Sequence, residues 1–345
     1  MNSSTVSDAR TGREGKKKGG TRKILQVWIG RPLGYLVTLL AAIVLMVFGV
    51  GSLIPGFVVA LGLVGVVMFR HRLRRAFAVG LAICVGIVIW RSIVQPSNDR
   101  EWQTDLKVLA RPTLEGDQLT IDGVRNFRWG PEGKEIVEER WEARRYRLQN
   151  LRGLDLVVEP FIYSDLMAHT MLSFDFGEDG RLLLSIEARQ EIGEKYQPVL
   201  GGLNKFELIY LFLDERDGFG VRAAQNHELF AYPVKVDPLS LRAFFLSLCR
   251  TADNLHRQPR FYHIIRDNCT TVWIEQADQL SVKPIGLRWE SVANGLIAEF
   301  IFQRGLIETD LDYQEAKAAF RIDEAVKKVP PEAPDFSQKI RDGFP

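Results

Sequence analysis

The chain has 345 residues, with 45 Lys and Arg against 43 Asp and Glu, long enough for a membrane anchor and one sizeable globular domain. The formal net charge of +2 conceals two portions of opposite sign, since residues 1–94 carry 13 basic and 2 acidic side chains while the remainder carries 32 and 41. Basic residues that flank apolar runs without interleaved aromatics, followed by an acidic domain, exclude a nucleic-acid surface, and three cysteines are too few for a disulfide framework.

Residues 1–32 form a basic tail whose first 22 positions are rich in Gly, Lys and Ser and read as disordered. Three apolar runs follow at 33–49, 53–69 and 76–94, each 17 to 19 residues long, near the lower limit for a helix that spans a bilayer. Ser52-Leu53-Ile54-Pro55-Gly56 reads as a tight hairpin between the first two, and Arg70-His71-Arg72-Leu73-Arg74-Arg75 separates the second from the third. Apolar material of this extent is not a cleaved signal peptide. The positive-inside rule keeps Lys16, Lys17, Lys18, Arg22 and Lys23 in the cytoplasm together with the 70–75 cluster. Three spans then place everything after Gln95 outside a bacterial cell membrane, in the periplasm or exterior; a two-span or re-entrant anchor would leave the domain inside. Cys84, within the third run, reads as a small hydrophobe.

A linker is expected over 95–118, a domain over 119–325 and a tail over 326–345. Alternation predicts strands at 119–127, 140–148 and 154–158, and a hairpin of 168–176 with 181–188 across Gly177-Glu178-Asp179-Gly180. Further strands are expected at 206–214 and 221–236. Helical spacing follows over 238–256, where Cys249 lies on the apolar stripe of Leu241, Phe244, Phe245 and Leu248 and reads as a buried thiol. A second helix is expected from Thr271 to Leu280, one or two more within 292–322, and an extended Pro-rich end over 329–345. The sum is an α+β domain with a mixed or antiparallel sheet behind N-terminal transmembrane helices.

The chemistry centres on Asn268-Cys269-Thr270-Thr271. A thiol at a helix start meets the positive end of the macrodipole, which favours the nucleophilic thiolate. The bland reading is a helix cap with a buried cysteine, since Asn and Thr are good capping residues, and a Cys249–Cys269 bridge is a further alternative. A thiol–imidazole mechanism takes its base from five histidines. His71 is in the basic loop, His256 ends a helix, His227 stands beside Glu228, and His263 lies six residues before the thiol. His169, between Met167 and Met171 in an apolar strand, needs a partner there, either as a base or as a satisfied core histidine. Glu187 or Ser173 could orient it; Glu187 faces His169 only in one hairpin register, because a one-residue slip reverses every face. Asn268 and Thr270 are candidates for oxyanion or substrate contacts. No histidine pair has metal-ligand spacing and no glycine loop binds a nucleotide, so no metal or cofactor is expected.

The blocks Arg125-Asn126-Phe127-Arg128-Trp129, Arg140-Trp141-Glu142, His169-Thr170-Met171-Leu172-Ser173-Phe174, Ser185-Ile186-Glu187-Ala188-Arg189 and Asn268-Cys269-Thr270-Thr271 together resemble a bacterial family. It is named after the N-terminal periplasmic domain of the lipoprotein intramolecular transacylase (Lnb). The resemblance covers about 119–290 and implies a permuted papain-like (NlpC/P60-like) fold in which histidine precedes cysteine. It implies His169 and Cys269 as the catalytic pair, and acyl transfer from a membrane lipid or lipoprotein as the reaction. The chain departs from the transacylase in placing its apolar segments before the domain. A cell-wall peptidase or amidase, and a non-catalytic envelope binding domain, are the alternatives.

Overall fold

Alternating apolar residues between positions 118 and 213 build strands, and their pairing decides which face each one buries. The computed structural model describes residues 71–345 other than 163, 282, 283 and 287, and the chain divides into two units, Met1–Gln95 and Pro96–Pro345. The described part of the first unit is helix α1 (His71–Ile93) and the residues that follow it. Val79, Ile83, Ile89, Trp90 and Ile93 on α1 are exposed. Among the described residues no helix is long and apolar enough to cross a membrane. The expected spans 33–49 and 53–69, the hairpin between them and the 1–32 tail lie outside the described residues.

The second unit is α+β. Its strands are β1 (Arg111–Glu115), β2 (Gln118–Arg125), β3 (Arg128–Trp129), β4 (Ile136–Glu138), β5 (Trp141–Arg147), β6 (Gly153–Phe161), β7 (Ser164–Asp175), β8 (Arg181–Arg189), β9 (Glu207–Leu213) and β10 (Phe230–Pro233). The helices longer than one turn are α2 (Glu215–Ala224), α3 (Pro238–Arg257), α4 (Thr271–Asp278), α5 (Ile297–Gln303), α6 (Tyr313–Ala319) and α7 (Asp323–Lys328). The main sheet runs β1-β2-β9-β8-β7-β6-β10 with β5 paired to β2, while β3 and β4 form a separate pair. β2 and β9 are parallel at Arg125–Leu213 and the other pairings are antiparallel, so the sheet is mixed.

Both faces of the sheet are covered. Leu172, Phe174, Leu184, Tyr210 and Phe212 pack under α3, α4 and α5 through residues such as Phe245, Trp273 and Ile301. Met171, Leu183, Ile209 and Leu211 pack on Phe219 of α2, Val326 of α7 and the C-terminal residues Phe336 and Ile340. β9 is buried along its whole length, as a central strand with two covered faces must be.

Three expectations need correction. Residues 221–236 do not form one strand. Asp214 accepts from the Arg216 N–H and caps α2, and Gly218 lies so close to Leu183 that an added Cβ would come within 2.4 Å of its Cδ2. Tertiary contact therefore overrides the poor helix propensity of the two glycines in α2. The domain also starts before residue 119, because Trp102, Leu106 and Ala110 of the expected linker are buried and the Arg189 guanidinium lies 4.1 Å from the Trp102 ring. Lastly, the end of the chain is not an extended tail. It turns at Phe336–Lys339 and sends Arg341 into the protein to meet Glu215 and Asp155.

Candidate active site

The β7–β8 ladder runs from Asp175–Arg181 up to Met171–Ser185, while β6 continues to pair β7 as far as Ala168 and beyond. β9 likewise pairs β8 out to Arg189. The two middle strands thus part past Met171, and a cleft of 230 Å³ opens there, lined by His169, Glu187, Tyr196, Arg222, Cys269 and Asn294 among others. Parting the strands frees backbone groups that need new partners. Asn294 Oδ1 accepts from the Ala168 N–H at 2.8 Å.

Cys269 stands at the N-terminal edge of α4 and is 5% exposed. Asn268 makes the turn by accepting from the N–H groups of Thr270 and Thr271, both at 2.8 Å, and its amide donates to Ile264 O. The capping reading of Asn268 therefore holds. The Asn268 side chain and the Thr270 N–H are thus engaged in the turn, while the Thr270 hydroxyl lies 3.0 Å from Thr170 Oγ1 and 3.8 Å from Cys269 Sγ. Thr170 of β7 donates its hydroxyl to Cys269 O at 3.0 Å and accepts from Trp273 Nε1, which fastens the start of α4 to β7. The Cys269 N–H has no partner among the described residues. All three cysteines are free thiols, so there is no Cys249–Cys269 bridge.

Burial alone would raise the Cys269 pKa. The hydrogen bond and charge of His169, with the Thr170 N–H and Thr270 hydroxyl, bring it below the usual thiol value instead. Burial would likewise lower the His169 pKa, yet the hydrogen bond and charge of Cys269 and the charge of Glu187 leave it raised. Each group thus favours the charged form of the other.

The ring orientation follows from hydrogen counting. Ser185 Oγ lies 2.7 Å from His169 Nε2 and 2.6 Å from Glu187 Oε1. A carboxylate only accepts, so the single Ser185 hydroxyl proton goes to Glu187 and Nε2–H donates to Ser185. That leaves Nδ1 as the ring nitrogen available for the hydrogen bond with Cys269. Glu187 stands 3.7 Å from Nε2 and acts on the ring mainly through Ser185. Burial would raise its pKa, but His169 and Arg222 lower it. Arg222 bridges Glu187 at 3.2 Å and Glu159 at 2.6 Å. Glu159, which burial would raise, is brought down to about 2 by Arg222 and a hydrogen bond from His227.

Ser173 does not reach this site. Its hydroxyl donates to Glu215 at 2.5 Å, beside Arg181 and Arg341. Four residues of extended chain separate it from His169, about 13 Å at the rise of a strand. The partner of the imidazole is Ser185. A lone hydroxyl after Leu182, Leu183 and Leu184 was the local signal for it, because such a group on a buried strand must find a partner. Asn294 and Arg222 gave no local signal. The Arg125–Trp129 block serves the fold: Asp217 accepts from Arg125 Nε, the Phe127 N–H and Trp129 Nε1. His256 and His263 bond to the backbone, through Ala110 O and the N–H groups of Ile265 and Arg266. Among the described residues no three His, Cys, Asp or Glu side chains are grouped to hold a metal ion.

Residues 138–292 match the family described as Lnb N-terminal periplasmic domain. His169, Ser185, Glu187, Arg222 and Cys269 fall inside the match and Asn294 lies two residues beyond it. No curated protein and no solved structure matches the chain.

Proposed function

We propose that this chain, which over residues 138–292 belongs to the Lnb N-terminal periplasmic domain family, is a thiol acyltransferase or hydrolase of permuted papain-like fold. Its site would face the periplasm and act on the acyl groups of a membrane lipid or lipoprotein. The observation that carries this reading is a cysteine whose pKa is lowered in spite of burial by an imidazole, itself held through Ser185 by Glu187. A structural thiol in an apolar site lacks such support, and burial, only weakly opposed by the charge of Arg250, drives Cys249 well up instead.

In this mechanism Cys269 Sγ attacks the acyl carbonyl carbon. A C–S bond forms as the carbonyl π pair moves onto oxygen. Collapse breaks the bond to the leaving alkoxide, which takes the proton from His169 Nδ1 and leaves a thioester. His169 then removes a proton from the incoming amine or water, whose attack releases Cys269. Asp or Glu as direct nucleophile is disfavoured, since Glu187 and Glu159 are both held by Arg222.

Mass spectrometry of the purified protein is expected to find an acyl adduct on Cys269 after incubation with a p-nitrophenyl octanoate probe, and none in Cys269→Ala. Turnover of muropeptides without such an adduct would select a cell-wall peptidase. A Cys269→Ala variant with full biological activity would select a binding domain and end the enzymatic reading. The anchoring part of the proposal rests on the three apolar runs and the basic residues at 70–75. Alkaline phosphatase fused after Gln95 is expected to be active and within 70–75 inactive; the reverse pattern would place the domain in the cytoplasm.

A further inference from the structure

We propose that Asn294 is a catalytic residue, the side-chain donor that stabilises the oxyanion formed when Cys269 attacks a carbonyl. This rests on the thiol acyl-transfer reading and adds to it a residue outside the matched family segment.

The orientation of the Asn294 amide is fixed by its neighbours. The Ala168 N–H can only donate and lies 2.8 Å from Oδ1. The NH₂ group must therefore face the other way, and it does so at 3.3 Å from Cys269 Sγ. Amide flips are assigned from such networks, and here one partner admits a single answer. The residue is 4% exposed, so its donor is already desolvated and aimed before substrate arrives. Asn294 also opens the short turn Asn294–Leu296 that packs on β7, the strand that carries His169. Nucleophile, base and amide donor are thus held on one piece of sheet.

Besides the Thr170 N–H and the Thr270 hydroxyl, which serve the sulfur itself, two donors stand at Cys269: Asn294 Nδ2, 3.3 Å from Sγ, and the Cys269 N–H, which has no partner among the described residues. In the resting protein the amide stabilises the thiolate. During attack the negative charge moves from sulfur to the carbonyl oxygen, one bond beyond the new C–S bond, and both donors can follow it. When the tetrahedral intermediate collapses, the pair on oxygen re-forms the carbonyl and the alkoxide leaves with the His169 proton. Donors aimed where charge develops act more strongly in a water-poor cleft than in solution. Neither Asn268 nor Thr270 can fill this role with the groups used to cap α4.

The test separates two reactions of one sulfur. Acylation by p-nitrophenyl octanoate passes through an oxyanion; alkylation by iodoacetamide is a displacement at carbon and forms none. In the full chain, Asn294→Ala is expected to slow acylation by 10²–10³-fold, roughly the effect of removing one oxyanion donor, with alkylation within about threefold. Asn294→Asp keeps an acceptor for the Ala168 N–H while removing the donor. Read as the ratio of acylation to alkylation at one pH, which cancels any change in thiolate fraction, it is expected to show a similar fall of about 10²–10³-fold. Acylation unchanged in either variant, or acylation and alkylation falling together in both, would overturn the assignment. Absence of Cys269 acylation in the unsubstituted protein would instead sink the acyl-transfer reading itself.

Discussion

Iodoacetamide is expected to alkylate Cys269 well below pH 8 while leaving Cys249 in the same folded protein unmodified. A free thiol ionises near 8.5, so an ordinary cysteine is mostly unreactive at pH 6.5. Cys269 differs because His169, the Thr170 N–H and Thr270 lower its pKa against the effect of burial. The sign is that of an acid whose charged form is favoured: the thiolate persists as pH falls and is lost only when the lowered pKa is crossed. His169→Ala removes the largest favourable contribution and leaves the burial that opposes it. Since each pKa unit is a factor of ten in thiolate fraction below the pKa, the rate at pH 6.5 is expected to drop by about 10–100-fold and to recover as pH rises above 9. Ser185→Ala is expected to slow the reaction more mildly, by freeing the imidazole to rotate. Ser173→Ala is expected to leave it unchanged, because Ser173 bonds Glu215 rather than the ring. Equal rates in the His169→Ala and unsubstituted proteins would dissolve the thiol–imidazole pair.

Truncation after residue 328, or Arg341→Ala alone, is expected to unfold or severely destabilise the domain. Arg341 donates to Glu215 and Asp155, and Glu215 has no exposed side-chain surface. Removing one member of a buried ion pair costs about 3–5 kcal/mol, because the remaining charge is left without its partner. Native domains hold only about 5–15 kcal/mol in all. The effect has a pH signature. Burial would raise the Glu215 pKa, but Arg341, Arg181 and the Ser173 hydroxyl bring it to about 2, against roughly 4.3 unfolded. A depressed carboxylate contributes stability above its unfolded pKa and loses that contribution as pH falls through the folded one. Urea midpoints of the unsubstituted protein are therefore expected to fall between about pH 4 and pH 2. Arg341→Ala should lower the midpoint at pH 7 by several kcal/mol equivalent and flatten that acid limb. Full stability in the truncated chain would show that the last 17 residues are dispensable.

Much of the domain follows from local pattern. Period-two alternation specified the β7–β8 hairpin to within a few residues, since its turn and its apolar core face are both written in neighbouring positions. The stripe of Leu241, Phe244, Phe245 and Leu248 and the capping Asn268 fixed α3 and the start of α4 in the same way. Cysteine at a helix start and a histidine in an apolar strand raised Cys269 and His169 as candidates beside their structural readings, and it was the family resemblance that implied them as a pair. Pairing and proximity lay beyond that reach. The choice of Ser185 over Ser173 depends on where two strands part, which no local rule encodes. Asn294 reaches the sulfur across 25 residues of chain, and Arg222 sits in a segment whose helix exists because Gly218 lets it approach Leu183. Arg341 and Trp102 fold in from the ends because buried carboxylates and an apolar surface await them. Residue types disclosed the reagents; only the closing of the sheet and its two helical layers could place them in contact, because contact at long separation is a property of the packed chain and of no segment within it.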